Sequence, residues 1–474
     1  MESSKLFNKP VFIKEEYEYS SNELKNKFNC DSKNIDRILK ELSFSNIISK
    51  TNKGAYKITY VGVVIIDNIV IYCYPKYLHN YDLKNQDDFN ELNNHFKEVI
   101  KVIKKYGLKN RQTVESDLFY NDSDNFLPLI LYFVDDYYEK GLYENTQRIT
   151  EINGSGEILW DTTINNTFPM IKNNRPYYLE LHTKKRITDL NNYFRKLHQI
   201  ILDEVFDILA DTQLDELFGI PRIPHLSNIK REDFDDVENI IRKLDKELNI
   251  QFNTRKIKLL KAIKKYLEKK SSTGLFDNIN LYGVRKYENV WEEVCKTVFE
   301  DMLSETITNL PIELNPKFYK YKNNKLSELI EHPIWYIEGE KNKKDTYIID
   351  LITIYEDNFL IFDAKYYDVE ISKKEINGQP GIESITKQYM YQLTYKDFYK
   401  AHELNVFNSF LFPIDGENSI KGYAILEMLN KFELEPIKAI FVSAKEIYEC
   451  YLKNSSNYKE EFRKKIFELL LEYD

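Results

Sequence analysis

The run from Tyr347 to Tyr367, YIIDLITIYEDNFLIFDAKYY, constrains this chain more than any other stretch. Its β-branched and aromatic residues predict two strands, Ile348 to Tyr355 and Phe359 to Phe362, with turn chemistry at Glu356-Asp357-Asn358 between them. Acids are costly in such a run unless they have partners. Yet Asp350 is expected inside the first strand, and Asp363 and Lys365 at the end of the second. Strand side chains alternate, so Asp363 and Lys365 point the same way across Ala364. Folding the hairpin about Asp357 sets Asp350 opposite Asp363 or Ala364. Two carboxylates and an ammonium then meet at one edge of a small sheet.

That trio suits metal-assisted phosphodiester hydrolysis. Mg²⁺ takes hard oxygen ligands at about 2.0–2.1 Å, commonly one or two carboxylates plus phosphate and water. It acidifies a bound water and offsets charge on the phosphorus. A lysine can orient or deprotonate that water and contact the same charge. The bland alternative is an Asp363–Lys365 ion pair with Asp350 in a turn. Upstream, Tyr287 to Leu303 (YENVWEEVCKTVFEDML) predicts a helix whose core stripe is Val290, Trp291, Val294, Cys295, Val298 and Met302. Glu292 lies at the edge of that stripe and can look into a site, whereas Glu293 is expected to face solvent. Downstream, Gly381 to Tyr399 predicts a second helix with a polar ridge of Lys387, Gln388, Tyr391, Gln392 and Tyr395, which alone reads as an amphipathic surface helix.

Helix-Glu, Asp, Asp-Ala-Lys, then a helix bearing Gln and Tyr is the motif order of the PD-(D/E)XK nucleases. More narrowly, VWEEVC, FDAKYY and KQYMYQ resemble the LlaJI-type restriction endonucleases, relatives of McrC, the nuclease subunit of GTP-dependent McrBC-like restriction systems. The resemblance implies catalytic roles for Glu292, Asp350, Asp363 and Lys365, with Gln388, Tyr391 and Gln392 on the motif helix. Glu292, Asp350 and Asp363 would hold Mg²⁺, with Mn²⁺ substituting, and Gln388 or Gln392 would position water or phosphate. Here each Gln–Tyr pair is spaced by three where the superfamily shows four, and Ile349 replaces the superfamily's Pro before the first Asp.

A chain of 474 residues has room for two to four domains. The segment MESSKLFNKP lacks the apolar centre of a secretory leader, and no apolar run approaches the ~20 residues of a membrane helix. The four cysteines are far apart with no C-x-x-C, which argues against a disulfide framework or a structural zinc. A cytoplasmic protein without membrane partners is expected. A net charge of −9 weighs against autonomous tight DNA binding and suits a subunit loaded by a partner.

Residues 10–60 read as a winged helix-turn-helix. Ser20 and Glu23 offer a capping box, Asp31-Ser32 can cap the next helix, and Ile35, Ile38, Leu39 and Leu42 form its core stripe. Lys33, Asn34, Arg37 and Lys40 would face DNA, with Lys53 at the tip of a wing. A protein-docking winged helix with merely solvated charges fits the same residues. The hairpin over 55–78 turns at Asp67-Asn68, and its closing Pro75-Lys76 resembles the McrC segment that meets the motor subunit. Residues 82–145 are mostly helical, and 146–182 form a β element with a buried Trp160. Further helices follow, the last carrying Lys261, Lys264 and Lys265 among eight basic residues from Arg255 to Lys270. That face is either solvated or in contact with DNA backbone. Ser271 to Gly274 is the natural linker.

The expected architecture is therefore α/β (multidomain α+β). It comprises a winged helix and β-hairpin over 1–80, a mainly helical middle over 81–274 with a β insert, and a PD-(D/E)XK nuclease domain over 275–474. The expected function is a Mg²⁺-dependent endonuclease subunit of a bacterial restriction, anti-phage system acting on double-stranded DNA. No G-x-x-x-x-G-K-[ST] occurs, so GTP enters only through a partner, a McrB-like AAA+ GTPase. A homodimer is left open. A stand-alone type II enzyme reading its site with the winged helix, and a non-catalytic DNA-binding regulator or scaffold, are the alternatives.

Overall fold

The computed structural model describes residues 7, 9–79, 81–109, 125–272, 279–337, 340–343, 346–371 and 376–473. It is a mixed α/β protein whose contacts divide it into two compact units, one built from the 121–280 segment and the other from the 8–120 and 281–474 segments. The expected linker at Thr273-Gly274 lies outside the described residues; Ser271 and Ser272 close the preceding helix.

The second unit carries a five-stranded mixed sheet. Its order is Leu351–Tyr355, Asn358–Ala364, Asn405–Ile414, Ile437–Ser443 and Ser419–Ala424. The two middle pairings are parallel and the outer two antiparallel. The first hairpin turns through Glu356, whose φ of 51° is left-handed. Strand alternation sorts the side chains by face. Ile352, Ile354, Phe359 and Ile361 bury themselves against Tyr391 and Phe398 of two helices, Ile382–Thr394 and Lys396–Ala401, and against Tyr395 at their junction. Phe362 meets Phe299 of the Tyr287–Phe299 helix at 5.1 Å between ring centroids on the opposite face. Helices therefore cover both sides. Near the end of the chain stand two helices, Ala444–Lys453 and Ser456–Tyr473, separated where Asn454 turns left-handed.

A second, four-stranded sheet in the same unit is ordered Val11–Lys14, Ile69–Tyr74, Val61–Ile66 and Asn280–Val284. The Val61–Tyr74 hairpin turns at Asp67, as expected. Gly62 and Gly283 meet where two backbones approach: a Cβ on Gly62 would sit 2.3 Å from the Tyr282 carbonyl oxygen. Any side chain there would separate the strands. Beside it, Ser21–Phe28 begins with the Ser20/Glu23 capping box, Ser32–Phe44 is capped by Asp31, and Glu18–Tyr19, Tyr56–Ile58 and Ile48–Lys50 form a three-stranded sheet. Ile35, Ile38, Leu39 and Leu42 are the buried residues of the longer helix.

The first unit packs the Leu127–Lys140, Tyr193–Asp211, Val237–Ile250 and Thr254–Ser272 helices beside a three-stranded antiparallel sheet of Thr146–Ile152, His182–Thr188 and Glu157–Ile158. Trp160, expected in a core, is 53% exposed. It opens a short helix, Trp160–Asn166, whose one fully enclosed side chain is Thr163, so the indole has no apolar layer above it.

Candidate active site

The hairpin register decides the site. Leu351 pairs with Phe362, which sets Asp350 beside Asp363, one of the two positions the turn leaves open. Asp350 itself is not within the strand: the ladder begins at Leu351. Its carboxylate does the capping there, accepting from the Ala364 N–H through Oδ2 at 2.9 Å. Asp350 is also hydrogen-bonded to Asp363. Asp363 is 5% exposed, and its Oδ2 lies 2.7 Å from the Lys365 Nζ. Burial comes first, with Asp363 and then Glu292 adding negative charge, and together they push the Asp350 carboxyl up to about 8. Burial pulls the Lys365 ammonium down, but Asp363 and Asp350 outweigh it and the net direction is up. Lys365 is thus held as a cation.

The structure brings Tyr391 to the same place. Burial raises its phenol, and the charges of Asp363 and Asp350 raise it further. Its hydroxyl donates to the Ile348 carbonyl at 2.9 Å and so fixes the segment leading into Asp350. Glu292 acts on Asp350 through space but is paired with Lys296 one helical turn away. It opens onto a groove with Tyr106, Asn289, Glu293 and Lys296. Glu293, expected in solvent, is the more enclosed of the two glutamates, with side chains 20% and 33% exposed. Lys109 and the Thr297 hydroxyl hold it.

Gln388 and Gln392 are placed differently from the surface ridge expected of them. They are 0% and 1% exposed, wedged between their helix and the sheet. The Gln388 amide donates to the Ile361 and Ser409 carbonyls at 3.3 and 3.4 Å, and Gln392 Oε1 accepts from Asn408 Nδ2 at 3.0 Å. These amides lock the helix onto the two central strands. Only Lys387 of the expected ridge reaches solvent, paired to Glu383 at 3.0 Å. The polar residues of the ridge lie on the buried face, where Gln388 meets backbone carbonyls of the sheet and Gln392 meets the Asn408 side chain.

Two residues that pattern reading passed over do much of the positioning. The Trp291 indole N–H donates to the Leu411 carbonyl at 3.1 Å, the same oxygen that accepts the Lys365 N–H at 3.0 Å. The helix carrying Glu292 is therefore pinned to the strand end carrying Lys365. Asp301 accepts from the Ile352 and Leu303 N–H groups at 3.0 and 3.2 Å, tying the end of that helix to the edge strand after Asp350. A buried Trp beside an acidic helix edge was the available signal; Asp301 offered none.

The donors fit a hard divalent cation that keeps most of its coordination for substrate and water. Two carboxylates meet there, and burial first, then the neighbouring charge, drives Asp350 to hold a proton, so the site is short of positive charge. Among the described residues no three His, Cys, Asp or Glu side chains form a ready-made metal cage.

The expected DNA-facing residues fall into two groups. Lys33, Asn34, Lys40 and Lys53 are exposed. Arg37 is exposed too but engaged, with Glu41 at 2.9 Å and with Asp67. In the first unit Lys261 is exposed, whereas Lys264 pairs with Asp245 at 2.6 Å and Lys265 is only partly exposed. Arg255–Asp136 and Lys270–Glu204 are internal pairs at 3.0 and 2.8 Å, so the basic run serves largely to hold its own bundle together.

The four cysteines are free, and among the described residues no helix is long and apolar enough to cross a membrane. The chain is 27% identical over 433 residues to the type II restriction enzyme BsuMI component YdjA of Bacillus subtilis (strain 168), spanning 88% of this chain and 85% of that one. A chain of the refined half-complex of Thermococcus gammatolerans McrB AAA+ hexamers with bound McrC superposes with a TM-score of 0.39 at 12% identity, covering 97% of this chain and 100% of that one. The LlaJI restriction endonuclease model matches residues 60–445, most of the sequence, with Asp350, Asp363 and Lys365 inside the match, and the chain belongs to that family.

Proposed function

We propose that this restriction endonuclease cuts double-stranded DNA by Mg²⁺-dependent phosphodiester hydrolysis at Asp350, Asp363 and Lys365, as the nuclease subunit of an anti-phage system. The observation that carries the reading is the convergence of Asp350 and Asp363 on each other and on the Lys365 ammonium, in the family's motif order. Asp350 and Asp363 would hold the cation, Mn²⁺ replacing Mg²⁺, and Glu292 would join through water. The cation supplies an acidified water and neutralises charge on the scissile phosphate. Lys365, kept protonated between two acids, donates to a phosphate oxygen or to the attacking water rather than accepting a proton. Tyr391 holds the segment before Asp350, and Gln388 and Gln392 hold the motif helix on the sheet.

The mixed sheet, with an antiparallel hairpin feeding Asp-Ala-Lys and helices on both faces, supports a PD-(D/E)XK fold. The two short helices with their three-stranded sheet support a winged helix, and exposed Lys33, Lys40 and Lys53 favour its touching DNA. The similar Bacillus protein is called a component of its enzyme, which supports a further subunit. With no phosphate-cradling loop in this chain, we assign GTP use to a McrB-like AAA+ partner.

Plasmid cleavage in Mg²⁺, with and without GTP and the partner, tests the reading. Asp350→Asn or Asp363→Asn should abolish cutting and Mn²⁺ binding while the fold persists. Cutting by either variant at the parental rate would remove the assignment. Cleavage by this chain alone, without GTP, would favour a stand-alone type II enzyme. A folded parent that never cuts and binds no Mn²⁺ would favour a DNA-binding regulator.

A further inference from the structure

The strand that delivers Asp363 ends at Ala364. Lys365 keeps one ladder contact, its N–H to the Leu411 carbonyl, and the Tyr367 N–H then folds back on the Lys365 carbonyl at 3.0 Å. From there the chain leaves the sheet, so something else must fix the C-terminal side of Lys365.

Tyr366 does this. It is 4% exposed and leaves the backbone on the side opposite Lys365. Its ring lies 5.0 Å from Tyr287 and 6.3 Å from Tyr77, with the Lys76 Nζ 4.6 Å above its face. Its hydroxyl donates to Glu15 Oε2. The Lys76 backbone N–H stands 3.2 Å from the Tyr366 hydroxyl and 3.3 Å from Glu15 Oε2, closing a small ring of hydrogen bonds. Two residues further on, Asp368 is held by His79 at 2.6 Å and by Lys14 at 3.7 Å. Glu15, Lys76 and His79 follow the parallel strands Val11–Lys14 and Ile69–Tyr74 of the smaller sheet, and Lys14 ends the first of them.

Glu15 is otherwise hard to account for. It is 5% exposed, and the Lys76 ammonium goes to Glu16 at 3.0 Å instead. A buried carboxylate without a paired charge is costly, and an apolar side chain would stabilise this core better. What only an oxygen acceptor can do there is take the Tyr366 hydroxyl and the Lys76 N–H together.

We infer that Glu15 and Tyr366 are positioning residues for the nuclease. Through their hydrogen bond the N-terminal sheet grips the chain directly after Lys365 and sets the aim of its ammonium. The inference rests on the reading of Lys365 given above and adds to it a residue some 350 positions away in sequence.

The test uses the full chain under the conditions in which the parent cuts plasmid. Tyr366→Phe removes one oxygen, Glu15→Leu removes the acceptor, and Glu15→Gln keeps an acceptor. Misplacement of a reacting group by about 1 Å can cost about 100-fold. Tyr366→Phe and Glu15→Leu should therefore lower kcat about 10- to 100-fold, with KM for DNA and Mn²⁺ affinity within about twofold of the parent. Glu15→Gln should return kcat to within about threefold. Parental kcat in folded Tyr366→Phe overturns the inference. So does a loss shared equally by kcat and Mn²⁺ binding, or a Glu15→Gln as slow as Glu15→Leu. If Glu15→Leu does not fold, Tyr366→Phe decides. Lys365→Ala run alongside separates the two claims. Inactive Lys365→Ala with normal Tyr366→Phe sinks only this inference, whereas active Lys365→Ala sinks the nuclease reading itself.

Discussion

Lys365→Met separates stability from catalysis at this site. Methionine keeps the aliphatic stem and removes the ammonium that lies 2.7 Å from Asp363. Asp363, Asp350 and Glu292 are then left facing one another without that cation. Breaking a buried pair by removing one partner costs about 3–5 kcal/mol. The Lys365 side chain is 21% exposed and that of Asp363 6%, so the lower end, about 3 kcal/mol, is the expected loss. Losing a donor to the reacting phosphate costs about 10²- to 10³-fold in kcat. The two effects respond oppositely to a divalent cation. Mn²⁺ at about 100 times its Kd contributes about 2.7 kcal/mol of stability and should restore most of the folding loss. It should restore none of the cleavage. Chemical denaturation with and without Mn²⁺, beside single-turnover plasmid cleavage in Mg²⁺, reads both. Cutting within threefold of the parent, or a variant that Mn²⁺ fails to stabilise at all, would refute the arrangement.

Glu15 should impose a pH dependence on stability. Burial, helped by the neighbouring Glu16 charge, pushes its carboxyl up to about 7 against the Tyr366 hydrogen bond and Lys76. A raised folded value means that the folded state holds a proton the unfolded chain has released. Stability therefore falls as pH rises from about 4.5 to about 7, by up to about 1.4 kcal/mol per unit, and levels off above. Melting curves of the parent minus Glu15→Gln across that range should show the slope, and a flat difference would remove it. Asp301→Ala leaves the Ile352 and Leu303 N–H groups short of an acceptor and should cost about 1–3 kcal/mol in urea unfolding, with slower cutting because the edge strand after Asp350 loosens. Lys33→Ala with Lys40→Ala should reduce the salt slope of DNA affinity by about 2 if both touch phosphate. An unchanged slope assigns that helix to protein docking. Arg37→Ala, which removes an arginine already held by Glu41 and Asp67, should change stability by less than about 1 kcal/mol.

What was legible in the sequence follows the range of the forces involved. The hairpin, and the approach of Asp350 to the Asp363–Ala364 strand end, were readable because alternation is a local rule, whereas the register stayed open by one residue until the ladder set Leu351 opposite Phe362. The helix starts at Ser20 and Asp31 were readable for the same reason. The orientation of the 382–394 helix was not. Its polar residues Gln388 and Gln392 face inward, where Gln388 meets the Ile361 and Ser409 carbonyls and Gln392 meets the Asn408 amide, partners that no pattern within the helix displays. The same holds for Glu293, enclosed by Lys109 from a helix far away in sequence, and for the basic run, whose partners Asp136, Glu204 and Asp245 belong to three other helices. Side chains settled by their own neighbours along the chain could be placed, and those settled by a partner across the fold could not. Glu15 is the extreme case. In the sequence it is an acid after a short strand, with Glu16 beside it, and nothing nearby hints that it is buried. Only when the two sheets are assembled does it become the acceptor for Tyr366. The acids that would hold a cation can therefore be found by motif, whereas the residues that aim Lys365 must be found by packing.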